Sequence, residues 1–133
     1  MSSYNYKEFI IKARQLILTL TEKKIKLKID KKLPYKGILT AYNNGDFLIT
    51  INLTKCVTLS KGRRRFNYAY FLAIVAHECG HFVHWSMTRP EYEEEFLAQF
   101  VAIQKCYEHN YESNLNWLFV ILMDMKNSKI LKF

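Results

Sequence analysis

His77, Glu78 and His81 are the residues of this chain best suited to chemistry. They stand in the stretch His77-Glu78-Cys79-Gly80-His81, an HExxH arrangement. Residues four apart lie one above the other on a helix face, so His77 and His81 can hold one zinc ion (Zn2+) through their imidazoles. Glu78 is rotated one step round the helix and can reach a water on that zinc. Zinc lowers the pKa of a bound water to about 7. Glu78 would take the proton from that water and later deliver it to a leaving amine.

The surroundings favour a helix at this point. Phe71, Leu72, Ile74, Val75, Phe82, Val83 and Trp85 flank the motif, and no helix breaker interrupts Ala69–Ala76. Gly80 is the exception, since Gly costs about 1 kcal/mol relative to Ala inside a helix. A helix keeps such a residue where another segment must come close.

A catalytic zinc needs a third protein ligand and one open position. Met87–Pro90 reads as a tight turn, because the residue before Pro avoids helix and Pro suits a first helical position. A helix from Glu91 would climb back along the active one and bring Glu94 or Glu95 level with His81. Glu91, Glu95, Ala98 and Ala102 share one stripe of that helix. The two alanines would let it pack closely and carry a carboxylate to the metal. Glu95 is therefore the expected ligand, with Glu91 and Glu94 as the alternatives and Glu91 also a cleft residue. Glu93 reads better as a solvated charge that favours the helix dipole. Gln99, one turn beyond Glu95, could hydrogen-bond a ligating imidazole.

His84 shares a face with His77 and His81. Three ligands from one helix would strain a tetrahedron, so His84 is expected to line the cleft or the surface. His109 would lie roughly 21 Å along the helix from Glu95, at about 1.5 Å per residue, too far to share a metal. An oxyanion-stabilising role stays open among His84, Tyr92 and a loop tyrosine.

Other elements must position these groups. Tyr4 to about Thr21 has the helical period in Tyr6, Phe9, Ile10, Ala13, Leu16, Ile17 and Leu20. Lys24–Asp30 alternates, with Ile25, Leu27 and Ile29 on one side and lysines on the other. That pattern reads as a half-buried strand whose lysines guard a sheet edge. Ile38–Tyr42 and Phe47–Leu53 read as a hairpin through Asn43-Asn44-Gly45-Asp46. Cys56–Gly62 reads as a loop. Arg63-Arg64-Arg65 would oppose a helix dipole, so the active helix is expected to start later, with Asn67 as its N-cap, unless the arginines have an anionic partner. That helix should run to about Trp85 or Ser86, and the glutamate helix from Glu91 to about His109. Asn114–Met125 is apolar nearly all round and reads as a last helix, buried in the core or at a dimer contact.

The expected fold class is therefore α+β over one domain, residues 1–133. It comprises an N-terminal helix, a small three-stranded sheet with a hairpin, the HExxH helix, the glutamate helix and a C-terminal helix. A chain of 133 residues that is 50% hydrophobic can bury one core and is not a disordered tail. Charged residues break any signal-like run near the start. The apolar run Trp117–Met123 is too short to span a bilayer, so no membrane partner is expected. Three separated cysteines, Cys56, Cys79 and Cys106, argue for free thiols and a cytoplasmic location. The net charge of +8 reads as solvated surface, or as a face for nucleic acid or an acidic protein.

The two motifs, His77-Glu78-Cys79-Gly80-His81 and Glu95-Phe96-Leu97-Ala98-Gln99, resemble those of the gluzincin metallopeptidases. The likeness is strongest to their small members, the ImmA/IrrE-type peptidases and the minigluzincins. The order of elements is also similar. The resemblance implies His77, His81 and Glu95 as zinc ligands and Glu78 as general base and acid. Gln99 departs from the Asn or Asp usual at its position. An endopeptidase is implied, with a protein or peptide substrate extended along a sheet edge above the metal. Two other readings compete. One is a DNA-associated protease of the SprT type, which the charge and the Arg63–Arg65 run favour. The missing zinc ribbon and the lack of a suitably spaced third His oppose it. The other is a latent or non-enzymatic regulatory protein that keeps the zinc site.

Overall fold

Two periodicities build the molecule: a helical one that buries a stripe every three to four residues, and a shorter one that makes strands. The computed structural model describes residues 6–84 and 91–128, with 91, 92, 112, 113 and 126–128 described by their backbone alone. The expected helix end at Trp85 or Ser86, the turn Met87–Pro90, the side chains of Glu91 and Tyr92, and the end of the chain from 129 lie outside that description.

Helix α1, Tyr6–Thr21, buries Ala13, Leu16, Ile17 and Leu20 along one face. Three strands follow: β1 at Lys26–Ile29, β2 at Gly37–Ala41 and β3 at Phe47–Ile51. They form one sheet in the order β1-β3-β2. β1 runs parallel to β3, and β2 runs antiparallel to it in the register Gly37 to Ile51 and Leu39 to Ile49. Leu39, Ile49 and Ile51 turn into the core. The hairpin turn is closed as its residues imply, with Asn44 Oδ1 accepting from the Asp46 N–H at 3.0 Å.

The stretch Cys56–Gly62, expected as a loop, is instead part of a second hairpin. A short 3-10 turn at Leu53–Lys55 leads into this hairpin, strands β4 (Val57–Ser60) and β5 (Arg63–Phe66). Its two turn residues are Lys61 at φ 52° and Gly62 at φ 76°, the positive-φ pair that a two-residue hairpin turn requires. The strands hide from pattern reading because most of their side chains face solvent. Only Phe66 of the eight strand residues is fully buried. Arg63–Arg65 thus lie on an exposed strand rather than in the first turn of a helix.

Helix α2, Tyr68–Val83, starts one residue later, capped by Asn67, whose side-chain oxygen accepts from the Tyr70 N–H at 3.0 Å. It is buried continuously from Tyr70 to Gly80 and forms the axis of the molecule. α1 packs on it, as do β2, helix α3 (Glu91–Glu108) and helix α4 (Glu112–Ser128). α2 ends at Val83, with His84 as its cap. α4 is not buried all round. It buries Asn114, Leu118, Ile121 and Met125 towards α2 and α3, while Phe119, Val120 and Met123 are exposed among the described residues. The architecture is α+β, as the sequence implies. Among the described residues no helix is long and apolar enough to cross a membrane.

Candidate metal centre

The site is made where α2 and α3 cross. A Cβ added at Gly80 would lie 2.0 Å from the Ala98 carbonyl oxygen and 3.0 Å from its Cα. Only a residue without a side chain permits this approach, and Ala98 and Ala102 complete the small-on-small contact. The close crossing brings the first turns of α3 to the motif on α2.

His77, His81 and Glu95 meet there. Each offers a ligand atom, and these atoms all lie within 4.8 Å of one another, close enough to hold a metal ion. His77 Nε2 is 2.8 Å from Glu95 Oε2, and His81 Nε2 is 3.0 Å from Glu95 Oε1. The two imidazole planes stand 88° apart with ring centroids separated by 4.7 Å. Burial pushes the Glu95 carboxyl upward, but hydrogen bonds and charge from His77 and His81 outweigh it and bring its pKa down to about 2. Glu95 is therefore a carboxylate at neutral pH, as a metal ligand must be.

Gln99 is fully buried beneath His77. Its Nε2 donates to the Leu118 carbonyl oxygen on α4 at 2.7 Å, which fixes the orientation of the amide. Its Oε1 then faces His77 Nδ1 at 2.6 Å. That oxygen only accepts, so Nδ1 carries a proton and Nε2 is the nitrogen aimed at the ligand cluster. A side chain on α3 thereby orients a histidine on α2 and is itself held by α4.

Glu78 sits one step round α2 and is 3% exposed. Burial raises its pKa to about 7. The charge of His81 and a hydrogen bond from the Leu39 main chain oppose the rise, and the charge of Glu95 adds to it. Leu39 belongs to β2. Gly37 in the same strand lies so near that an added Cβ would come 3.3 Å from Glu78 Oε2. The sequence reads Gly37 as the end of a turn from Pro34 and Leu39 as a strand residue, and marks neither as part of the site. A Gly at the start of a strand was the available sign, since it marks close approach of another group.

The other candidates fall elsewhere. Among the described residues the group of three contains neither Glu94 nor His84. His84 and His109 are exposed, and Glu93 is exposed as a solvated charge should be. Asn114, buried on α4, has no hydrogen-bond partner among the described residues for either side-chain atom. All three cysteines are free and buried, and burial pushes Cys56 and Cys106 up to about 12. They are protonated, unreactive packing groups.

No known protein family, curated protein or solved structure matches this chain.

Proposed function

We propose that the protein is a zinc-dependent endopeptidase of gluzincin type. The observation that carries this reading is the convergence of His77, His81 and Glu95 with Glu78 beside them, His77 being braced by Gln99. Two imidazole nitrogens and one carboxylate oxygen are the donor set of catalytic zinc sites of the His-His-Glu kind. Zinc held there would supply Lewis-acid polarisation of a peptide carbonyl and a water acidic enough to be deprotonated near neutral pH.

The chain's own groups supply the rest. Glu78, with a pKa raised to about 7, is poised to accept a proton from water and to return it to the departing amine. Among the described residues β2 pairs with β3 alone. The pairing of Lys36 with Asn52 and of Tyr42 with Asp46 turns the main-chain groups of Gly37, Leu39 and Ala41 away from β3, and the Leu39 N–H reaches Glu78. An extended peptide laid along that edge would bring its scissile bond to Glu78.

The test is cleavage of a denatured protein substrate such as casein with zinc present. Glu78→Gln should keep the metal and lose about 10²–10⁴-fold in rate. Cleavage that persists in Glu78→Gln would remove Glu78 as the group that activates the water.

A latent form is the second reading, favoured by one observation: Glu78 is only 3% exposed, with β2 lying against it. In that form the metal would bind normally and cleavage would appear only after β2 is displaced.

A further inference from the structure

The sheet has a second edge, and it is built differently from the one above Glu78. β1 pairs with β3 on one side. Asp30 donates its N–H to Ile51 on β3, so the alternation of a strand turns the main-chain groups of Leu27 and Ile29 outward. Beside this edge runs a groove of about 740 Å³, in the range of formed ligand clefts. One wall is α1, the other is β1.

The walls are apolar and the rim is basic. Ile11 and Leu18 on α1 are 46% and 49% exposed, although α1 already buries a different face. They stand two turns apart and border the groove with Ile25 and Leu27. Arg14, between them on α1, and Lys24 and Lys26 on the strand side supply the positive charge. Lysines that only guard an edge against aggregation do not require a cleft with apolar walls beside them. A nucleic acid would use the cations but would leave the four aliphatic side chains unmatched.

We propose that this groove is a docking site for an extended acidic peptide segment of a partner protein, which adds to β1 as an edge strand. Main-chain pairing with Leu27 and Ile29 would hold its backbone. Alternate aliphatic side chains would enter the groove against Ile11 and Leu18, and its carboxylates would meet Arg14, Lys24 and Lys26. The site is separate from the metal cluster and does not depend on metal.

The experiment uses the intact chain and a fluorescein-labelled peptide of sequence Glu-Leu-Glu-Val-Glu-Leu-Glu-Val. Anisotropy should rise to saturation, and the amide NMR signals of Leu27 and Ile29 should shift on binding. Affinity should fall tenfold or more in an Arg14→Glu/Lys24→Glu variant, and likewise in Leu18→Ser. Both variants change exposed side chains, and their melting curves check that the fold is kept. A peptide N-methylated at alternate residues should also bind at least tenfold more weakly. Equal binding of the N-methylated peptide would overturn strand addition. So would equal binding of a poly-glutamate of the same length, or undiminished binding by both variants. A 20-base-pair DNA duplex that displaces the peptide at lower concentration would overturn the peptide assignment in favour of nucleic acid.

Discussion

At the scale of single residues, the site is governed by which atoms carry protons. Gln99 is the clearest case. It accepts from His77 and donates to Leu118, so removing the amide removes the contact that braces His77 from α3 and α4. Gln99→Leu has a similar volume and should lower zinc affinity about 10–100-fold, read by competition with a chromophoric chelator. Affinity equal to the parent would mean that the hydrogen bond does not brace the ligand.

Two carboxyls at the site give opposite pH slopes. Glu78 rises to about 7 from an ordinary 4.5, so between those values the folded state holds a proton that the unfolded chain has released. Its contribution to stability therefore falls as pH rises through that window. Glu95 drops to about 2, so its contribution is present above 4.5 and is lost as pH falls towards 2. Chelator-treated protein should accordingly lose thermal stability on both sides of pH 4.5 on account of these two groups. Glu78→Gln should flatten the limb towards pH 7 and leave the acid limb. An unchanged neutral limb in that variant would show that Glu78 is not the buried acid responsible.

At the scale of elements, the contact between α2 and α3 decides whether a site exists. By helix propensity alone, Gly80→Ala should stabilise by about 1 kcal/mol. The Ala98 carbonyl 2.0 Å from the new Cβ reverses the sign, because overpacking against backbone costs about 1–3 kcal/mol or more. The variant should therefore melt lower in chelator and bind zinc more weakly, as α3 is pushed away with Glu95 and Gln99. A variant that melts higher would refute the close crossing.

Much of this element-level picture was legible. The internal Gly80, the stripe of Glu95, Ala98 and Ala102, and the Asn67 cap each carry a local physical signal that needs no tertiary context. The β4–β5 hairpin was not legible. Val57-Thr58-Leu59-Ser60 alternates over only four residues, Arg63–Arg65 give no apolar alternation, and a Lys-Gly turn is a weaker sign than the Asn-Gly of the first hairpin. The exposed face of α4 is a related case: its composition left core burial and a dimer contact open, and within the single chain only one face is buried. Apolar composition does not say how many neighbours a helix has.

At the scale of the whole molecule, one small sheet presents two unlike edges. The β2 edge faces Glu78, and the β1 edge faces a basic, aliphatic groove. The alternation of Lys24–Asp30 gave the strand and its charge from sequence. The groove depends on the second apolar stripe of α1, Ile11 and Leu18, which lies outside the stripe that made the helix recognisable. The net charge of +8 acquires a location in this picture, since part of it lines the groove and part of it stands on the β4–β5 hairpin.

The central claim is a three-ligand zinc site completed from α3, and metal content tests it most directly. Purified parent protein and Glu95→Ala, both reconstituted with zinc and freed of excess, are compared by atomic emission. About one zinc per chain in the parent and a clear loss in the variant is the predicted result. Undiminished zinc in Glu95→Ala would contradict the assignment of Glu95. No zinc in the parent would contradict the metal site itself.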